Sequence, residues 1–234
     1  MHYLFLDESY PAPVPGQRKI VMAAWAVEQE SWNDRTAKRF DLFKRPVLRR
    51  ICAMLESLNG AAFAASASLD ESLFRSGEID STNDVPSMAR TDLIWSMSAV
   101  FVLGTLILKL LQHSRDIGTI DVHFDAKGLK SAHSEAWQKT LRELVVNSAK
   151  RFAMERGFDQ LKKLNIRRVH PVVKLNHLGQ IGDKFSMGTW VADKICSQFD
   201  DLEPLNCSRI SSLDMSEPVQ RTTQQFDGKS FYEY

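Results

Sequence analysis

The stretch "YLFLDES", Tyr3–Ser9, decides how this chain is read. As an extended strand it places Tyr3, Phe5 and Asp7 on one face and Leu4 and Leu6 on the other. Both faces are apolar, which predicts a central strand. It ends in two adjacent carboxylates, Asp7 and Glu8. A carboxylate at a strand end has an ordinary reading, as a turn former where the chain meets water. Two of them after an apolar run also suit half of a metal site, and the surrounding sequence has to choose.

Working outward, "PAPVPGQ" (Pro11–Gln17) reads as a turn and Lys19–Val27 as the hairpin partner of the first strand. A helix over Trp32–Leu58 follows, split near Pro46. Ala61–Leu69 is a third strand of small residues, Glu71–Ser87 is polar and irregular, and Met88–Gln112 is a long apolar helix. "GTIDVHFDAKG" (Gly118–Gly128) is a fourth strand, with Asp121, His123 and Asp125 on one face. Ser131–Glu155 is an amphipathic helix. Ile166–Val173 is a fifth strand, which Pro171 assigns to a sheet edge because proline cannot donate to a ladder. The last helix, Gly179–Phe199, carries an apolar stripe at the 3.6-residue period. This order predicts an α/β fold, a five-stranded mixed sheet flanked by helices, with extra helices inserted between the third and fourth strands. It divides the chain into a domain over residues 1–199 and a polar, weakly patterned extension over 200–234.

The 234 residues suit one domain, and 44% hydrophobic content can build its core. Lys plus Arg number 30 against 29 for Asp plus Glu, so bulk charge selects no polyanionic partner. Two local clusters remain: Lys44, Arg45, Arg49 and Arg50, and Lys162, Lys163, Arg167 and Arg168. Their ordinary reading is solvated faces. Cys52, Cys196 and Cys207 are odd in number and widely spaced, which argues against a disulfide framework and fits a reducing, cytoplasmic setting. The short apolar run at the N-terminus ends in acids and does not read as a signal peptide. Leu93–Leu111 approaches the roughly 20 residues of a membrane span, but two serines, a threonine and Lys109 mark it as a buried core helix, with no membrane role and dimerisation as a side use.

If the first and fourth strands lie parallel and adjacent, Asp7 and Asp125 meet at their C-terminal ends, where open α/β sheets place ligands. Paired carboxylates call for a cation between them, and hard oxygen donors select Mg²⁺ or Mn²⁺. Such sites suit phosphoryl transfer. A phosphatase of the haloacid dehalogenase type also begins with a strand ending in Asp, but here Ser9 stands where its second Asp is required, and Met187 occupies the place of a later one.

"YLFLDES", "VHFDAKG" (Val122–Gly128) and "GQIGD" (Gly179–Asp183), in this order, resemble the prokaryotic domain of unknown function 3800 family. The resemblance covers most of residues 1–199 and implies a ribonuclease H-like fold with an acidic, metal-binding site. It implies Asp7 and Asp125 as strand ligands, Asp183 as the helix ligand, and Glu8 as a fourth acid or a supporting group. Tyr10 stands where the family carries glycine, and Gly182 where it more often carries alanine. A competing register, "GTWVAD" (Gly188–Asp193), offers Asp193 instead of Asp183. The two lie about 15 Å apart along a helix, so one alone reaches the site, and the retained Gln180 favours Asp183. His123, His170, His177 and Lys127 are secondary candidates whose ordinary readings are structural. The expected activity is a divalent-metal-dependent nuclease or phosphodiesterase acting on DNA or RNA. The alternative is a non-catalytic binding or regulatory partner, of phage-defence or toxin–antitoxin type, with a degenerate site and a protein partner or second copy.

Overall fold

The computed structural model describes residues 1–32, 47–74, 78–79, 88–113, 117–125, 129–155, 164–172 and 184–225. Strands β1 (His2–Ser9), β2 (Gln17–Glu28), β3 (Ala61–Asp70), β6 (Thr119–Asp125), β7 (Asn165–Val172) and β8 (Ile210–Asp214) form one sheet in the order β7-β6-β1-β2-β3-β8. Two further two-residue strands, β4 (Glu78–Ile79) and β5 (Met88–Ala89), pair with each other in a second small sheet among the described residues. β1, β2 and β3 run antiparallel in turn, whereas β6 is parallel to β1, β7 to β6, and β8 to β3. The sheet is therefore mixed, and the doubly apolar β1 lies inside it, as its sequence requires. Pro171 sits on β7, an edge strand.

Helices cover both faces. On one face, α2 (Arg90–His113) and α3 (Glu135–Glu155) pack with Leu4, Leu6, Val122 and Phe124 in one core. On the other, α1 (Val47–Ser57) and α4 (Lys184–Ser197) close over Tyr3, Phe5, Val21 and Trp25. α2 is long and apolar enough to cross a membrane, yet 78% of its apolar window is buried inside the domain. Its composition follows from sandwiching between sheet and helix.

Two expectations are corrected. The sheet has six strands rather than five, because residues 200–225 supply the short helix α5 (Leu202–Leu205), strand β8 and helix α6 (Ser216–Gln225). β8 is an edge strand with half-exposed and exposed side chains, so it carries no apolar alternation to betray it. Its hold comes from backbone pairing to β3, from Lys109 Nζ donating to Ser211 Oγ at 2.7 Å, and from Met215, fully buried just beyond it. Cys52 and Cys207 are joined by a disulfide, Cα atoms 6.2 Å apart, leaving Cys196 as the free thiol. The 155-residue separation gives no local sign of the pairing. The insertion between the third and fourth strands of the main sheet contains, among the described residues, a 3-10 turn (Glu71–Phe74), the β4–β5 ladder and one α-helix, α2.

Candidate functional site

The parallel register of β1 and β6 sets Leu6 opposite Phe124. One residue further on, Asp7 and Asp125 take neighbouring positions, and side-chain alternation turns both toward α4. Both are almost wholly buried, at 1% and 3% exposure. Asp7 Oδ1 accepts the Glu8 backbone N–H at 2.9 Å.

Helix α4 runs along β1 in the strand's own direction. Near its start Phe185 meets Tyr3 edge-on and stacks on His123, with ring centroids 5.5 and 4.1 Å apart. Further along, Gly188 lies on Phe5, where any Cβ would overlap the ring, and its carbonyl accepts the Trp25 indole N–H at 2.8 Å. Near its end the Cys196 thiol donates to the Asp7 carbonyl at 3.0 Å. Burial pushes that thiol well up, and the charges of Asp7, Glu8 and Asp193 push it further. Asp193 therefore stands toward the carboxylate end of the helix, where Lys194 Nζ lies 2.9 Å from its Oδ2. Asp183 lies outside the described residues, as do Lys127 and His177. Among the described residues no group of three or more His, Cys, Asp and Glu side chains is placed to hold a metal ion.

Glu8 goes the other way. Alternation sends it to the α2 face, where Trp95 Nε1 donates to its Oε2 at 2.9 Å. Asp92, completely buried in the first turn of α2, accepts the Ser131 backbone N–H at 2.8 Å. Partial desolvation, then the charges of Glu8 and Asp92, push the Tyr10 phenol up, although more than half of the residue is exposed. The acids at the end of β1 are thus divided by the sheet, with Asp7 and Asp125 on one side and Glu8 near Asp92 and Tyr10 on the other. Sequence reading missed Asp92 and Cys196. The signal for Asp92 was an acid opening an otherwise apolar helix, and Cys196 had none beyond its burial.

His123 is buried in an aromatic stack between Phe185 and Phe5, with His170 edge-on at 6.2 Å. In the basic clusters, Arg167 Nε donates to Asp121 at 2.9 Å, so its charge is matched, whereas Arg49 and Arg168 are exposed. Lys44, Arg45, Lys162 and Lys163 lie outside the described residues. No protein-family model matches the chain, and no curated protein matches it significantly.

Proposed function

We propose that the chain is a ribonuclease H-like, divalent-metal-dependent nuclease or phosphodiesterase of the domain of unknown function 3800 type. The observation that carries this reading is the burial of Asp7 and Asp125 side by side at the ends of two parallel strands. The topology of the sheet supports it as well: β1, β2 and β3 run antiparallel in turn, and β6 and β7 lie parallel to β1 on its other side. A pair of carboxylates is a donor set of the class that Mg²⁺ and Mn²⁺ take. Asp7 and Asp125 would hold the ion, with a further oxygen from α4 or the residues before it. Asp193 stands toward the right end of that helix and is freed for the role when Lys194 swings to solvent or to a phosphate. Asp183 remains the rival donor.

Bound there, the metal would supply Lewis-acid stabilisation of the phosphoryl group and a water acidified for attack. The residues themselves do the rest. α4 and its aromatic stack shut water out from beneath the carboxylates. Trp95 fixes Glu8 on the far face. Exposed Arg49 and Arg168 offer contacts for a nucleic-acid backbone, whose binding would weaken steeply with salt. A cytoplasmic setting goes with this activity.

Calorimetric titration with Mn²⁺ tests the site. Wild type is expected to bind, while Asp7→Ala and Asp125→Asn, folded by circular dichroism, are not. Absence of binding by wild type at millimolar metal, with and without oligonucleotide, would sink the reading. A second reading is favoured by the Lys194–Asp193 ion pair, which engages a candidate third acid. In it the chain is a non-catalytic partner with a degenerate site, and a stoichiometric protein complex indifferent to chelator would identify it.

A further inference from the structure

We propose that the Cys52–Cys207 disulfide is a reversible redox clasp that fastens the sixth strand of the sheet and helix α1 to each other, and that thiol reductants release it. The proposal does not depend on the nuclease reading.

The clasp joins a lightly held edge strand to a firmly anchored helix, α1, whose Leu48, Ile51, Met54 and Leu55 are buried in the core. Cys52 lies in the middle of α1, at the margin of the helix face that packs on the α4 side of the sheet. Cys207 lies in the turn between α5 and β8, where its carbonyl accepts the Ile210 N–H that opens the strand. β8 pairs along one edge alone, over five residues, and all five of its side chains are half-exposed or exposed. Beyond it the chain is anchored again, because Met215 and Val219 are buried in the main core. Opening the bond therefore frees the Cys207 turn and β8 from α1, while Leu202 and α6 stay docked.

The two sulfurs also differ in access. Cys52 is nearly buried and Cys207 is half-exposed, so an incoming thiolate reaches Cys207 first. A small-molecule thiol of the glutathione class attacks the Cys207 sulfur, the S–S bond breaks, and Cys52 leaves as a thiolate that takes up a proton. A second thiol attacks the mixed disulfide, releases the oxidised small-molecule disulfide and leaves Cys207 as a thiol. The net change is one protein disulfide reduced, two small-molecule thiols oxidised, and two protons carried over to the protein thiols. The third cysteine does not enter this exchange. Cys196 is buried near the end of α4 with its thiol bonded to the Asp7 carbonyl, out of reach of a dissolved thiol. A couple of two cysteines with an inert third is a clean switch, and in a reducing compartment such bonds are regulatory rather than permanent.

Hydrogen–deuterium exchange on the full chain tests it, after oxidation with glutathione disulfide and again after reduction with dithiothreitol. The oxidised protein is expected to label at one thiol in denaturant and the reduced protein at three. On reduction, amides of β8 are expected to exchange at least ten-fold faster, while α1, β1 and β2 are unchanged. Renewed glutathione disulfide restores the slow exchange. Cys52→Ser should reproduce the reduced pattern, and reduction of wild type serves if that variant does not fold. Three labelled thiols after oxidation, or β8 protection unchanged by reduction, would overturn the proposal.

Discussion

Asp7 and Asp125 stand at neighbouring positions on two hydrogen-bonded parallel strands, both buried and both facing α4. Like charges this close repel, and burial strengthens the repulsion. Asp125→Asn relieves it while removing a metal donor. Without divalent cations the variant should be more stable than wild type by about 1 kcal/mol, or roughly 2–4 °C in melting temperature for a domain of this size. Scanning calorimetry in chelator measures this. A variant less stable than wild type would show that the carboxylate holds the fold rather than a ligand.

Gly188 touches Phe5 so closely that Gly188→Ala has to push the ring or lift α4. Overpacking in a well-packed core costs about 1–3 kcal/mol, and the upper end applies here because the Trp25 bond to the Gly188 carbonyl resists movement of the helix. Urea unfolding should show the loss, and Phe5→Leu in the same chain should recover part of it. Full additivity of the two substitutions would mean the contact is not shared.

The Trp95 indole is the described anchor of Glu8 on the α2 face. Trp95→Phe keeps most of the apolar bulk and deletes the donor. A hydrogen bond to a charged group contributes about 1.5–3 kcal/mol, so a loss in that range is expected by denaturant titration. Mn²⁺ affinity should not change, since Glu8 faces away from Asp7 and Asp125. A fall in affinity would move Glu8 into the metal site.

The two faces of β1 were legible in the sequence because side-chain alternation is a local property. Pro171 announced an edge in the same way, through a missing donor. The placement of Glu8 follows from that same alternation, one residue after Asp7. Its partner Trp95 did not, because it comes from 87 residues away.

His2 is buried, and its Nδ1 donates to the Ile117 carbonyl at 3.1 Å. Burial, the largest influence, holds its pKa below the ordinary 6.5. Below pH 6.5 the unfolded chain therefore binds a proton that the folded chain refuses. The stability contributed by neutral His2 is complete above pH 6.5 and is lost as pH falls through the lowered folded value. His2→Gln should flatten the decline of stability on the acid side of pH 6.5, measured by urea midpoints at several pH values. An unchanged slope would assign the acid sensitivity to other groups.

Removing the cross-link should cost stability as well as local order. Closing a loop with the 155-residue separation of Cys52 and Cys207 stabilises by about 5 kcal/mol on the chain-entropy argument, which is an upper figure for real proteins. Urea midpoints with and without dithiothreitol report the difference. Equal midpoints would mean that the disulfide is absent under the starting conditions.

By itself the sequence determined the α/β class, the central place of β1, the edge place of β7 and the buried nature of α2. Each of these follows from periodicity, or from one residue's missing group, within a few positions of the chain. Only the tertiary structure decided that residues 210–214 add a sixth strand, that Cys52 finds Cys207, that Trp95 holds Glu8, and that Asp193 sits toward the carboxylate end of α4. These depend on which distant segments pack together. A half-exposed edge strand, a disulfide and an indole donor need no local pattern, because the long-range partner alone supplies their stability.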